Sequence, residues 1–158
     1  DKVGQTIQAT RDIWVTVSPE VQEFCQSEKP SPEHLTLRLE ELLGVPPHNG
    51  KTTFVEFWVN PSDLFRPSPD PEITDREAEL DFPQAAGAMA ISDWYTQWFE
   101  TLLATSYGEN GYPWTRLGYT YDWGNPKTKI GLSEYVIRQG AMVEIHRVAG
   151  TEDYCRWW

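Results

Sequence analysis

The tripeptide Ser-Pro-Glu occurs twice, at Ser18-Pro19-Glu20 and Ser31-Pro32-Glu33, and it constrains the N-terminal half more than any other feature. Each copy offers a capping hydroxyl, a proline suited to the first helical position and an acid where the helix dipole favours negative charge. The first copy predicts a short helix through Val21, Phe24 and Cys25, broken between Ser27 and Pro30. The second predicts a longer one, because Leu35, Leu39, Leu42 and Leu43 recur at i, i+4, i+7 and i+8, one helical face. Gly44 then stands where a left-handed C-terminal cap belongs, and Pro46-Pro47 prevent continuation.

Residues of strand type flank this pair. Residues 11–17 (Arg-Asp-Ile-Trp-Val-Thr-Val) and 52–59 (Thr-Thr-Phe-Val-Glu-Phe-Trp-Val) are rich in β-branched and aromatic types. In the second run Val55, Phe57 and Val59 take one face, and Phe54, Glu56 and Trp58 the other. Residues 1–10 carry no clear period. Asn60-Pro61-Ser62-Asp63 reads as a turn. The stretch 66–84, with repeated prolines and the acids Asp70, Glu72, Asp75, Glu77, Glu79 and Asp81, is expected to be a long surface loop. Residues 85–90, all small or apolar, read as a linker or a tight contact. Ser92 caps a further helix whose face is Trp94, Tyr95, Trp98, Phe99, Leu102 and Leu103, with its end at Gly108.

The last third alternates with a period of two. Leu117, Tyr119, Tyr121 and Trp123 oppose Arg116, Gly118, Thr120 and Asp122, and Gly124-Asn125-Pro126 turns the chain. Runs at 132–138 and 141–148 are expected to pair as a hairpin around Gln139-Gly140. The order of elements predicts an α+β fold in one domain spanning residues 1–158. Its sheet is mostly antiparallel, with about three helices packed on one face. A length of 158 residues suits one core. Eight Trp, seven Tyr and six Phe supply that core with ring area despite only 39% hydrophobic residues.

A formal charge of -11 disfavours nucleic acid and an anionic membrane surface, and no Lys/Arg cluster offsets it. The partners that fit are a small molecule, neutral or cationic, or a basic protein; as a plain surface property the charge keeps a domain soluble. No apolar run reaches the ~20 residues of a membrane span. The chain starts at Asp1 without Met, which fits removal of a signal peptide, a tag or a longer N-terminus. Cys25 and Cys155 lie near opposite ends. Bonded, they would imply a periplasmic or secreted protein; as two separate buried thiols they would leave a cytoplasmic one equally open.

Motifs for metals, phosphates and nucleophiles are missing. His34, His48 and His146 are scattered, the acidic stretch lacks the order of a calcium loop, and there is no GxGxxG, Walker, GxSxG or SxxK pattern. No cofactor and no metal are therefore expected. The densest polar-aromatic stretch offers Trp114, Arg116, Tyr119, Tyr121 and Trp123 as ligand-binding residues, since such rings stack on sugars or flat cations. Read structurally, the same stretch is half core and half ladder of cross-strand pairs. The sequence thus points to a non-catalytic binding or protein-interaction domain. The alternative is a small enzyme, a hydrolase or glycosyl-type transferase, with Glu134 as catalytic carboxylate beside Asp122 or His146. Both readings rest on the last three strands lying side by side.

Overall fold

The computed structural model describes residues 2–75, 77–83, 91–106 and 111–156. It is an α+β protein, as the order of elements predicted; among the described residues there are four α-helices and three small antiparallel sheets, where one sheet with about three helices on one face was expected. Along the chain run β1 (Thr6–Gln8), β2 (Ile13–Val15), α1 (Glu20–Glu28), α2 (Pro32–Leu42), β3 (Thr53–Val59) and β4 (Leu64–Phe65). Then follow α3 (Asp93–Ser106), β5 (Tyr119–Tyr121), β6 (Ile130–Ser133), β7 (Tyr135–Ile137), β8 (Met142–Gly150) and α4 (Thr151–Cys155). The linker reading of 85–90 and the helix end at Gly108 fall outside the described residues.

The first sheet has the order β1-β8-β3 and the second β2-β7-β4, while β5 and β6 form a ribbon of their own. The expected hairpin of the last two runs does not form. β7 pairs with β2 and β4, whereas β8 pairs with β1 and β3. At Gln139-Gly140 the chain crosses from one sheet to the other, with Gly140 at φ +92 and its N–H donating to the Ala9 carbonyl at 2.8 Å. Alternation marked the strands correctly, but it says nothing about which strand becomes a neighbour.

The two sheets bury their facing sides against each other: Ile137, Val143, Ala9 and Ala141 are packed by Ile7, Ile13, Val15, Phe57, Val59 and Leu64. The other side of the second sheet carries Val136 and Phe65 and is covered by Tyr95 and Phe99 of α3 together with Trp114. β7 is therefore buried on both sides. A third cluster joins α1, α2 and α4 through Val21, Cys25, Leu35, Leu39, Leu42 and Tyr154, with Phe54, Leu132 and Ala149 against it.

The helices start where expected, but not with the expected caps: Pro19 rather than Ser18 is the N-cap of α1, and the Ser18 hydroxyl donates to Glu56 at 3.2 Å. Ser31 is the N-cap of α2, but its hydroxyl donates to Glu33 rather than accepting from the backbone. Ser92 does cap α3, accepting the Tyr95 N–H at 3.3 Å. Gly44 takes the left-handed conformation (φ +67), and a Cβ there would meet the Tyr121 carbonyl at 3.0 Å, so the α2 terminus sits directly on β5. The stretch expected to be a surface loop begins instead in the interior. Arg66 through Pro69 are buried, and the buried Tyr95 hydroxyl donates to the Ser68 and Arg66 carbonyls at 2.6 and 2.8 Å. The Arg66 guanidinium donates to the carbonyls of Asp75 and Glu77, which folds the acidic segment back on itself. Proline suits such a segment because it brings no N–H to satisfy.

Cys25 of α1 and Cys155 of α4 form a disulfide across 130 positions of sequence. Closing so long a loop removes conformational freedom from the unfolded chain, worth about 5 kcal/mol in the chain-entropy description. The double variant Cys25→Ala/Cys155→Ala should therefore unfold at markedly lower urea, by about 3–5 kcal/mol. An equal loss is expected on reduction of the native chain, and reductant should leave the double variant unchanged.

Candidate functional site

One cavity of about 420 Å³ opens where α2, α3, β2 and the β6–β7 junction meet. Its walls are mainly apolar: Trp14 from β2, Leu43 to Val45 after α2, Leu102 from α3 and Tyr112 to Trp114 from the segment that follows α3. Thr105, Ser106, Lys51 and Glu134 add the polar groups. Such a volume with mostly apolar walls and few polar groups is typical of a small-molecule site.

The register explains how Glu134 comes to line it. Trp14 and Val136 are paired across β2 and β7, so their side chains share a face. Glu134 precedes Val136 by two positions and follows it to that side. Its neighbour Ser133 turns the opposite way, where its backbone N–H and hydroxyl donate to the Glu20 carboxylate at 2.8 and 2.7 Å. The Glu134 backbone N–H is held by the Gly118 carbonyl at 2.8 Å. These bonds fix the main chain leading into Glu134 and leave the side chain in the cavity.

There the Glu134 carboxyl is unusual. Its Oε2 is fully buried and meets no hydrogen-bond partner. Burial pushes the group up to about 8, because a carboxylate so placed loses its water and gains no cation or donor in exchange. The rings beside it are ordered. Trp14 and Trp114 stand perpendicular, at 89° with centroids 6.3 Å apart, and Trp114 rests on Phe99 at 5.0 Å. Trp14 stacks on Trp98, whose indole N–H donates to Asp12 at 3.0 Å. Asp12 also accepts the Gln139 N–H at 2.8 Å, tying the aromatic wall to the crossover between the sheets.

The other residues singled out from sequence lie elsewhere. Only Trp114 among the five expected ligand-binding residues lines this cavity. The strand expected over 116–123 is reduced to β5, because Arg116 (φ +62) and Gly118 (φ +69) turn the chain before it. Tyr119 and Tyr121 flank the ribbon, while the Trp123 indole donates to the Val45 carbonyl at 3.1 Å. Asp122 is buried and bonded twice to the Arg38 guanidinium, at 2.6 and 3.0 Å. It also accepts the N–H groups of Gly124 and Asn125, both at 3.1 Å, so it organises a turn. His146 is half exposed on β8, 3.9 Å from Glu56 and tilted against Trp58. Glu134, Asp122 and His146 thus share no hydrogen bond, ion pair or cavity, and the side-by-side wall of three strands is replaced by three separate settings.

Glu56 is the hub of a second polar group. Its Oε1 accepts from Tyr154, Gln22 and Ser18 at 2.8, 3.0 and 3.2 Å, and burial together with this carboxylate raises the Tyr154 phenol to about 12. It pins α1 and α4 to β3. Among the described residues no group of three or more His, Cys, Asp or Glu side chains is placed to hold a metal, and no helix is long and apolar enough to cross a membrane.

Comparison of the chain with protein-family models, curated proteins and solved structures found no match, so the reading of the cavity rests on its own chemistry.

Two outcomes follow. A carboxyl titrating near 8 in the fold but near 4.5 in the unfolded chain gives stability that is complete below about pH 4.5 and lost as pH rises toward 8. Glu134→Gln should abolish that decline and be more stable than the native chain at pH 9, by about 3–5 kcal/mol, in urea titrations across pH. Asp122→Ala should cost about 2–4 kcal/mol at pH 7, since it removes both short bonds to Arg38, leaves that guanidinium with Glu41 at 3.5 Å, and frees the turn at Gly124; equal stability would show that the pair contributes nothing.

Proposed function

We propose that this protein is a binding domain for a small, largely apolar molecule, taken up in the cavity between Trp14, Leu102, Trp114 and Glu134. The single observation that carries this reading is a buried carboxyl oxygen without a hydrogen-bond partner inside an aromatic-walled cavity. A polar atom in that position costs the fold free energy, and a ligand that bonds to it recovers the cost. The rings supply area for a flat or hydrocarbon body, and the rigid bracing of Trp14 and Trp114 lowers the ordering needed on binding.

A catalytic carboxylate is the second reading, favoured by the elevated titration of Glu134, since perturbed groups cluster at functional sites. Glycoside chemistry needs a second carboxylate at about 5–9.5 Å. Among the described residues Glu134 is the only acid lining the cavity, and Asp122 and His146 are committed elsewhere. Binding without turnover is therefore the better supported function.

The test uses 2-phenylethanol as a neutral probe of matching character. Titration followed by backbone and indole NMR signals should give saturable shifts at Trp14, Trp114 and Leu102. Thr105→Phe, at an exposed helix position on the cavity wall, should weaken them at least tenfold with the fold intact. Absence of saturable shifts at these positions up to millimolar probe would refute the reading, and conversion of the probe or of a glycoside into product would favour the enzyme.

A further inference from the structure

The cavity is more particular than its apolar walls require. A purely hydrocarbon ligand would be served by a cavity of rings and leucines, and would leave the Glu134 Oε2 without a partner in the complex as it is without one now. A ligand anion would accept from the neutral carboxyl, but the chain's formal charge of -11 repels it. Three chemistries satisfy it: a neutral ligand that accepts from the protonated carboxyl, a neutral ligand that donates to its free oxygen, and a cationic ligand that donates to the carboxylate.

Three observations favour the cation. The walls include two indoles at right angles, and the faces of such rings attract positive charge. The chain as a whole carries a formal charge of -11, which draws cations toward any opening and repels anions. Among the described lining residues the other titratable groups are Tyr112 and Lys51, both exposed at the rim. Neither donates to the buried oxygen, so no side chain in the cavity supplies the charge that Glu134 lacks.

We infer that the ligand of this cavity is an organic ammonium ion, its charged nitrogen donating to Glu134 and its apolar body lying against Trp14 and Trp114. The inference rests on the binding reading above and adds the chemical class of what is bound. An ammonium brings both the donor and the counter-charge that burial removed, and its hydrocarbon part displaces the remaining water. Binding then shifts one proton: the carboxyl is neutral below about pH 8 and must ionise to pair with the cation, so that proton leaves to solvent. Association should therefore tighten by about tenfold per pH unit between pH 6 and pH 8 and level off above.

The experiment compares phenethylamine with 2-phenylethanol and 3-phenylpropanoate by isothermal titration calorimetry on the intact disulfide-bonded chain. The amine is expected to bind at least tenfold more tightly than the alcohol at pH 8, and the anion least. At pH 6.5 the measured heat should vary with the ionisation enthalpy of the buffer, reporting proton release. Glu134→Gln should erase the preference for the amine and the buffer dependence, yet keep binding of the alcohol, which also shows that the variant is folded. Equal binding of amine and alcohol by the native chain would overturn the cation inference and leave the binding reading standing. Failure of all three probes to bind would overturn both.

Discussion

Strand β7 is three residues long, and its Val136 and Ile137 are each completely buried, one toward α3 and the other toward the first sheet. The rest of the structure depends on that double burial. Because β7 pairs with β2 on one side and β4 on the other, its register sets which faces of Ile13, Trp14, Leu64 and Phe65 meet the sheet-on-sheet core and which meet α3. A slip of one position would turn every one of these side chains to the wrong layer. The same register turns Glu134 toward the cavity, so the most costly group in the cavity is positioned by the least exposed strand in the fold.

Polar groups are spent on holding elements at defined angles. The carboxylates of Glu20, Glu56 and Asp122 each accept two or more hydrogen bonds from distant parts of the chain, and Glu40 accepts three from His48 and Asn49 just past its own helix. These four acids are structural rather than part of a solvated coat. Glu134 is the contrast within this set, an acid whose buried Oε2 has no bond at all. Where every comparable carboxylate is satisfied, the unsatisfied one marks where something else belongs.

Much of the local structure was legible. Alternation and capping located β3, α1 and α2 within a residue or two, and the start of α3, because an element that buries one face must repeat its apolar residues at the period of its backbone. The short pieces were not: β1, β4 and α4 span three, two and five residues, too few for a period to appear. The acid-rich stretch was read rightly as exposed loop over Asp75, Glu77, Glu79 and Asp81, and wrongly at its start, where Arg66 and Tyr95 supply the partners that let the backbone enter the core. Glu134 stood out from sequence, but its setting did not. Trp14 lies 120 positions away and reaches it only through the β2–β7 pairing.

What the sequence determined by itself is the kind of chain this is. Helix starts, strand runs, aromatic wealth and two cysteines follow from neighbours along the backbone, where sterics and periodicity act. What only the tertiary structure decided is the company each side chain keeps. It paired β8 away from β7, bonded Asp122 to Arg38, sent His146 to the far sheet and left the Glu134 carboxyl alone among rings. The physical reason is that burial and pairing are settled between segments far apart in sequence. A local pattern records that a face must be covered, and the folded chain alone settles what covers it.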